Sequence, residues 1–80
     1  MDKKNILITG ASSGIGAACA LLAAERGCNL AIHYHSNSDG IKLVKKKCTE
    51  IGISVQVLQG DLSDLNDINR IFSTLDSCSF

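Results

Sequence analysis

The sequence contains no proline, carries no formal net charge and has no hydrophobic run long enough to cross a membrane. Because its basic residues form no cluster beyond the lysines of one predicted helix face, nucleic acids and anionic membranes are not expected partners. The apolar run after Lys4 is far too short for a secretory signal, which predicts a cytoplasmic protein. The hydrophobic fraction of 45% and the charged fraction of 20% are typical of a globular domain.

The four cysteines lack the spacing of a metal site or a redox motif. Cys19, Cys28, Cys48 and Cys78 form no Cys-x-x-Cys pair and have no metal-ligand spacing with the two histidines. In a cytoplasmic chain they are predicted to be reduced, small hydrophobic residues, and no metal site is predicted. Cys19 and Cys48 fall on the apolar faces of predicted helices, whereas Cys78 lies in a polar tail and is predicted to react with a thiol reagent.

The most informative stretch is an apolar run followed by a glycine-rich loop and a helical pattern. Residues 6–8 are apolar, partly β-branched and bounded by turn residues, which predicts a buried strand of a parallel sheet. Gly10, Gly14 and Gly16 follow, and they allow both a tight turn and the close approach of a pyrophosphate to the main chain. A helix that begins near Gly14 directs free N–H groups and a positive dipole end at this loop. The stretch is therefore predicted to bind a nucleotide phosphate.

Two further strand-and-helix units follow this first one. The strands are predicted at residues 6–8, 29–34 and 53–59, and Gly27 and Gly52 are predicted to end the first two helices in the left-handed conformation. Residues 36–40 have loop and N-cap chemistry, and the second helix follows them. The apolar faces of the three helices are predicted to contain Ile15, Ala18, Cys19, Leu22 and Ala23, then Ile41, Val44, Cys48 and Ile51, then Leu65, Ile68, Ile71, Phe72 and Leu75.

This alternation of strands and helices predicts right-handed β-α-β units and an α/β fold. The expected architecture is a partial doubly wound, or Rossmann, fold with three parallel strands in the order 3-2-1 and three helices. Ligands bind such folds outside the carboxyl ends of the strands. The first strand is then an apolar edge that favours self-association, and the third helix lies on the opposite face of the sheet from the other two.

The segment Thr9-Gly10-Ala11-Ser12-Ser13-Gly14-Ile15-Gly16 resembles the Thr-Gly-x-x-x-Gly-x-Gly signature of the short-chain dehydrogenase/reductase superfamily, in its shorter-chain branch. The resemblance extends over residues 5 to about 75. It implies that residues 1–80 are the N-terminal half of an NAD(P)-binding Rossmann domain. It also implies an oxidoreductase that interconverts a carbonyl and an alcohol. The cofactor contacts that it implies in the loop are Gly10, Ser12, Ser13, Gly14, Ile15 and Gly16. The alternative is an ordinary β–α turn whose glycines serve close packing alone.

The residue at the end of the second strand favours NADP over NAD. An NAD-specific site places an acidic residue there, about 20 residues past the glycines, and Tyr34 occupies that position. A carboxylate would repel the 2′-phosphate of NADP, whereas Tyr34, His35, Ser36 and Asn37 offer neutral donors and one imidazole that can become cationic. Some NADP-dependent members of the resembling family also carry a tyrosine there. His33 is interpreted as a residue that fills the strand, and a solvated loop histidine remains the alternative for His35.

A second implied contact follows the third strand. Asp61-Leu62 is similar to the Asp-Val or Asp-Leu step of the family, where the carboxylate meets the adenine amino group and the next backbone group lines the ring pocket. The alternative for Asp61 is that it caps the third helix. Ser63 is predicted as the N-cap of that helix, with Asp64 and Asp67 in its first turn.

The catalytic residues that the resemblance implies have no counterpart in this sequence. Family members use a Tyr-x-x-x-Lys pair with an upstream serine, because a nearby ammonium lowers the tyrosine pKa for acid–base catalysis. The only tyrosine is Tyr34, and Ser38 stands four residues after it. No catalytic residue is therefore predicted. The alternative function is a non-catalytic nucleotide-binding or assembly fragment that associates through the open edge of the first strand.

Overall fold

The computed structural model describes residues 4–77, and the side chains as far as Leu75. The elements are β1 (Asn5–Ile8), α1 (Gly14–Glu25), β2 (Asn29–Tyr34), α2 (Ser38–Ile51), β3 (Val55–Gln59) and α3 (Leu65–Ser77). All six predicted elements are confirmed, in the predicted sequence of strand and helix. The prediction that the first strand is buried is wrong, because β1 lies at an edge of the described sheet and its residues alternate between exposed and partly buried. The prediction for Cys78 lies outside the described residues.

The three strands form one parallel sheet with β2 at its centre. β1 pairs with β2 through Ile6 opposite Leu30, and β2 pairs with β3 through Ile32 opposite Val57. The order β1-β2-β3 confirms the predicted 3-2-1 arrangement, counted from the other edge. β1 therefore lies at an edge of the described sheet, with one side of its backbone unpaired.

The two faces of β2 pack against different helices, because successive side chains of a strand point to opposite faces. Leu30 and Ile32 join the apolar core formed with α1 and α2. Ala31 faces the other way and packs with Leu58 of β3 and with Ile71 and Leu75 of α3. This arrangement confirms that the third helix covers the opposite face of the sheet.

The buried face of α1 differs from the predicted one. Ala20 and Ala24 are fully buried, whereas Ile15 is 84% exposed, and Leu22 and Cys19 are also exposed. The prediction failed because α1 is apolar on almost every side, so periodicity alone could not select the face that meets the sheet. The small alanine side chains allow the helix to pack closely on the strands, and the prediction that Cys19 lies in the core is wrong. The predicted face also contained Ala18, which is exposed, and Ala23, which is partly buried.

The predicted apolar faces of α2 and α3 are confirmed in part. Ile41, Val44 and Cys48 are buried in α2, and Ile71 and Leu75 are buried in α3. Burial raises the pKa of the Cys48 thiol. The three exceptions, which are largely exposed in the final turn of α2 or along the margin of α3, are Ile51, Leu65 and Phe72. α3 contacts β2 and β3 through the residues at its centre, so the apolar side chains at its margin remain uncovered.

Glycines and polar side chains end the helices. Gly27 follows α1 with φ +82°, and its N–H donates to the carbonyl of Ala24 while that of Cys28 donates to the carbonyl of Ala23, which is a Schellman motif. Gly52 ends α2 with φ +101°. Both predicted C-terminal glycines are confirmed. α2 begins at Ser38, earlier than the apolar pattern predicts, because the side chain of Asn37 caps it.

Candidate functional site

The segments that follow the three strands meet at one edge of the sheet. Residues 9–13 follow β1, residues 35–37 follow β2 and residues 60–64 follow β3. Because the strands are parallel, all three segments lie at the carboxyl edge, where doubly wound proteins bind their ligands. The structure therefore brings together the three predicted groups of cofactor contacts.

The glycines of the first loop have two different roles. Gly10 and Gly14 have φ values of +63° and +59°, a conformation that residues with a Cβ rarely adopt. Gly16 has an ordinary backbone conformation, but a Cβ at this position would collide with the carbonyl oxygen of Gly10 and lie 3.2 Å from the Cα of Ala11. Gly10 and Gly14 therefore form the turn, whereas Gly16 allows α1 to pack directly against it.

The N-terminus of α1 is open to an anion. Ser13 occupies the N-cap position in extended conformation, and its side chain makes no capping hydrogen bond. The first turn of α1 contains no acidic residue, and the first N–H groups of a helix have no intrahelical partner. By contrast, Asn37 caps α2 and the carboxylate of Asp64 accepts from the N–H of Asn66 at the start of α3. The free donors of α1 face the glycine-rich loop.

The loop is held in place from β2 by His33. The carbonyl of His33 accepts from the N–H of Ala11 at 2.8 Å, and its ring Nδ1 accepts from the N–H of Gly10 at 3.2 Å. The other ring nitrogen, Nε2, lies 2.8 Å from the carbonyl oxygen of Gly60, at the start of the turn after β3. The interpretation of His33 as a strand-filling residue was incomplete. The signal for its role is a histidine within an apolar strand, since a buried polar group requires hydrogen-bond partners.

The start of α2 also contacts the glycine-rich loop. The side-chain amide of Asn37 donates to the carbonyl of Ser12 at 3.4 Å, and its oxygen accepts from the N–H of Gly40 at 3.0 Å. A Cβ on Gly40 would collide with the same Ser12 carbonyl. The sequence interpretation did not identify Gly40 as a contact of the loop. The available signal was a glycine in the first turns of a helix, where this residue is unfavourable without a packing reason.

The predicted ribose-phosphate and adenine segments lie side by side. Nε2 of His35 is 3.9 Å from a carboxylate oxygen of Asp61, and both side chains are accessible to solvent. The carbonyl of Tyr34 accepts from the N–H of Gly60 at 3.1 Å, and the carbonyl of His35 accepts from the side chain of Gln59 at 2.8 Å. The exposed residue Ser36 continues this segment toward Asn37. Tyr34 is partly buried and packs against the core formed with α1 and α2.

Asp61 bonds within its own turn. Its carboxylate accepts from the hydroxyl of Ser63 at 2.7 Å and from the N–H of Ser63 at 2.9 Å, and these bonds lower the pKa of Asp61. Asp64 occupies the N-cap position of α3, because its carbonyl accepts from Ile68 and its carboxylate accepts from Asn66. The prediction that Ser63 is the N-cap is therefore wrong, since its hydroxyl donates to Asp61 instead.

Asp67 and Arg70 fix the same turn from α3. The carboxylate of Asp67 accepts from the N–H of Asp61 at 2.9 Å, and this bond is the main cause that lowers the pKa of Asp67. Arg70 lies 3.4 Å from Asp67 and donates to the carbonyl of Gln59 at 2.8 Å. The side chain of Leu62 points instead to an apolar pocket of about 60 Å³ between β1 and α3. The turn after β3 is thus a rigid wall of the candidate site.

We expect acid to reduce the stabilisation that Asp61 and Asp67 give to the turn after β3. The pKa values of Asp61 and Asp67 are lower in the folded chain than their usual range, so the unfolded chain binds more protons in acid. Their stabilising contribution is complete above the unfolded pKa, about 4, and is lost as the pH falls through the folded values. Replacing Asp67→Asn should flatten the loss of unfolding free energy between about pH 5 and about pH 2, as measured by urea titrations.

Glu50→Gln is the matched control for this prediction, because Glu50 is exposed near the end of α2 and distant in sequence from the turn. It should retain the acid dependence of the wild type. An Asp67→Asn variant whose stability falls with acid as steeply as that of the wild type would contradict the prediction.

The described residues offer no site for a metal and no membrane span. Among residues 4–77, no three histidine, cysteine, aspartate or glutamate side chains are grouped so that they could hold a metal ion. No helix in this part of the chain has the length and apolar character needed to cross a membrane.

A parallel sheet whose first strand leads through a glycine-rich loop to an open helix N-terminus defines a Rossmann-type nucleotide-binding protein. The sequence profile described as short chain dehydrogenase matches residues 4–77. The chain therefore belongs to the short-chain dehydrogenase family, which confirms the resemblance seen in the sequence. This family binds a dinucleotide, NAD or NADP.

Three similar proteins illustrate this membership. The uncharacterized oxidoreductase YgfF of Escherichia coli is 40% identical over 70 residues, which are 88% of this chain and 28% of the relative. The crystal structure of YwfH, an NADPH-dependent reductase involved in bacilysin biosynthesis, has a TM-score of 0.85 and 37% identity over 95% of this chain and 30% of its own. A short-chain dehydrogenase from Sphingobium yanoikuyae in complex with NADPH has a TM-score of 0.79 and 34% identity, over 90% of this chain and 28% of its own. The chain thus spans less than a third of each of these relatives.

Proposed function

We propose that this chain forms the dinucleotide-binding part of an NADP-dependent oxidoreductase that interconverts a carbonyl and an alcohol. The observation that carries the proposal is the open N-terminus of α1 beside a segment, residues 34–37, that contains no carboxylate. NADP, which carries an additional 2′-phosphate, suits a segment without carboxylates better than NAD does. The NADPH named for two of the similar structures supports the same choice.

The pyrophosphate is proposed to bind along the loop from Gly10 to Gly16. The free N–H groups at the start of α1 donate to its oxygens, and the helix dipole stabilises its negative charge. Ser12 and Ser13 add hydroxyl groups on the same loop, and Ile15, exposed in the first turn of α1, adds apolar contact. The close packing of α1 against the loop, which Gly16 permits, keeps the N-terminus of α1 within reach of the ligand.

The adenosine half of the cofactor is proposed to lie across the ends of β2 and β3. Tyr34, His35, Ser36 and Asn37 face the ribose and its 2′-phosphate with hydroxyl, amide and imidazole groups. Asp61 is proposed to accept from the adenine amino group, and the backbone of Leu62 to line the ring pocket. The lowered pKa of Asp61 keeps its carboxylate ionised and able to accept such a bond.

The nicotinamide cofactor supplies hydride transfer when it is bound, and this chain supplies its binding and orientation. Tyr34 is the only tyrosine, and the fourth residue after it is Ser38 rather than a lysine. We therefore assign no catalytic residue to residues 1–80, and we propose that they act as the cofactor half of a larger active domain. The proposal places the protein in the cytoplasm, in keeping with the predicted reduced cysteines.

We expect NADPH to bind at least about tenfold more tightly than NADH at pH 6, because a protonated His35 can pair with the 2′-phosphate. The preference should be larger at pH 6 than at pH 8, because a cationic imidazole attracts a phosphate more strongly than a neutral one. The measurement is a titration of nicotinamide fluorescence, which the chain does not obscure since it contains no tryptophan.

Two substitutions test the charge of His35: His35→Gln removes the possibility of a positive charge, and His35→Asp introduces a negative one. Gln should remove the pH dependence of the NADPH preference, and Asp should invert the preference because its carboxylate repels the 2′-phosphate. Equal affinities for NADPH and NADH at pH 6 would contradict the choice of NADP, and binding of neither would contradict the proposed function.

A second candidate function is a non-catalytic nucleotide-binding or assembly fragment. The observation that favours it is the unpaired edge of β1 in a sequence without the Tyr-x-x-x-Lys pair. NADPH oxidation in the presence of a panel of ketones and aldehydes discriminates the two candidates. Binding without turnover by this chain, together with a defined oligomer, supports the second one.

A further inference from the structure

His33 is the one buried polar side chain in the part of the chain that the structure describes. It is 4% exposed, and each of its ring nitrogens has a backbone partner. The two partners belong to different loops, since Gly10 begins the glycine-rich loop after β1 and Gly60 begins the turn after β3. One side chain of the central strand thus bridges the two neighbouring strand ends.

The partners fix the protonation of the ring. A carbonyl oxygen can only accept, so the contact of 2.8 Å between Nε2 and Gly60 requires a hydrogen on Nε2. A backbone N–H can only donate, so the contact of 3.2 Å from Gly10 requires a free lone pair on Nδ1. His33 is therefore a neutral imidazole that carries its hydrogen on Nε2.

Main-chain bonds make this bridge more rigid. The carbonyl of His33 accepts from Ala11, and the next carbonyl, that of Tyr34, accepts from the N–H of Gly60. Gly60 itself is confined, because a Cβ there would lie 3.0 Å from Ile71 and 3.1 Å from Arg70. The distance between the glycine-rich loop and the turn after β3 is thus set through β2, and the His33 ring supplies a side-chain link between them.

We propose that His33 is a positioning residue for the cofactor: in its neutral form it holds the glycine-rich loop and the Gly60–Leu62 turn at the separation that a bound dinucleotide spans. The inference rests on the proposed function, because it places pyrophosphate on the first loop and adenine on the second. A proton on Nδ1 removes the acceptor for Gly10 and leaves a buried N–H without a partner. Loss of the acceptor on Nδ1 should therefore weaken the binding of NADPH and NADH alike, whereas a change of charge at position 35 should change only their ratio.

Few charged groups lie near the His33 ring. On its own strand the adjacent titratable group is Tyr34, which packs against the core on the other face of the sheet, and His35, just beyond the end of the strand, is exposed. The turn after β3 contributes Asp61, and α3 contributes Asp67 and Arg70 beside Gly60. β1 and the glycine-rich loop contribute none, since residues 5–16 contain no charged side chain. Neither ring nitrogen of His33 has a carboxylate as its hydrogen-bond partner, since both partners are backbone groups.

The test uses three substitutions that remove the two bonds separately. In His33→Asn, the amide oxygen can take the place of Nδ1 and accept from Gly10. In His33→Gln, the amide nitrogen can take the place of Nε2 and donate to Gly60. His33→Leu removes both bonds. Cys48→Ala is the matched control, because Cys48 is buried in the core on the other face of the sheet, where its thiol lies against the carbonyl of Ala20 in α1.

We expect His33→Leu to weaken NADPH and NADH about tenfold each, with their affinity ratio unchanged, and His33→Asn and His33→Gln to restore part of the loss. Cys48→Ala should lower stability without this loss of affinity. Amide exchange of Gly10 should accelerate in His33→Gln and stay slow in His33→Asn. Two-bond ¹H–¹⁵N correlations, simplified by the presence of only two histidines, should show the Nε2–H tautomer in the wild type at pH 7.

Each outcome decides a different question. A wild-type chain that binds neither dinucleotide contradicts the proposed function and this inference together. If the wild-type chain binds NADPH, and His33→Gln and His33→Asn bind it as tightly as the wild type does, the inference alone is contradicted. The inference is also overturned by an Nδ1–H tautomer, and by affinity losses in Cys48→Ala that match those of the His33 variants. These measurements decide the matter even if His33→Leu fails to fold.

Discussion

Replacing Gly16→Ala is expected to abolish dinucleotide binding and to lower the unfolding free energy by about 1–3 kcal/mol or more. The added Cβ would collide with the carbonyl oxygen of Gly10 and lie 2.8 Å from its carbonyl carbon. These atoms belong to the backbone and cannot rotate away as a side chain can. The collision can be relieved only if α1 moves away from the end of β1. This movement also displaces the N–H groups proposed to bind the pyrophosphate. Both losses are large for an 80-residue chain, whose stability is marginal.

Gly14→Ala is the matched control for this prediction. No atom lies within 4 Å of a Cβ at position 14, so this substitution adds only the cost of a left-handed backbone, about 1 kcal/mol. Urea unfolding and NADPH titration of the two variants should therefore show a larger loss for Gly16→Ala in both quantities. A Gly16→Ala variant that binds NADPH as the wild type does would show that α1 need not pack against the loop as closely as described.

The second large effect is expected at the free edge of β1. An apolar edge strand with unpaired backbone groups is a template for pairing with another chain. Leu7 of this strand is 37% exposed and shares its apolar pocket with Ile68 and the exposed ring of Phe72. We expect the wild-type chain to self-associate or to unfold with low cooperativity. Leu7→Lys should weaken the association about tenfold or more, because a charge on an edge strand opposes pairing.

Leu43→Lys provides the matched control, because Leu43 is 54% exposed but lies on α2, which packs over β2 and β3 rather than over β1. It should leave the association constant unchanged. Sedimentation equilibrium over a range of chain concentrations measures both variants, and circular dichroism checks that each retains its helices. A wild-type chain that is a monodisperse monomer with a cooperative melting transition would contradict the prediction.

The strands and their order could be predicted from the sequence because they depend on local and general rules. Short apolar runs between turn residues mark buried parallel strands, and the right-handed crossover fixes which face each helix covers. The inward face of α1 could not be predicted, because Ile15, Leu22 and Cys19 are as apolar as the alanines that are buried. Which of several apolar faces packs inward depends on the shape of the sheet, and the spacing of apolar residues carries no information about that shape. The exposure of Ile51, Leu65 and Phe72 was missed for a related reason, since periodicity does not show how much of an apolar helix face the sheet covers.

The candidate site was predictable at the level of segments and not at the level of contacts. Glycine spacing and the residue at the end of the second strand identified three loops that do lie together at the carboxyl edge. The bonds of His33, by contrast, join residues 23 and 27 positions apart. The collision that keeps Gly40 a glycine involves Ser12, which lies in another loop. Such contacts depend on tertiary packing, and no local pattern of residue types encodes them.

The contact between the start of α2 and the glycine-rich loop limits how cofactor preference can be re-engineered. To exchange the proposed NADP preference for NAD, an engineer would replace residues 35–37, the segment that we propose to face the additional phosphate. Asn37 is also the cap of α2 and a donor to Ser12, and Gly40 lies against the same carbonyl. A loop graft that changes Asn37 would therefore alter the pyrophosphate cradle as well as the specificity pocket. Conservative exchanges at His35 and Ser36 are the changes that leave the cradle intact.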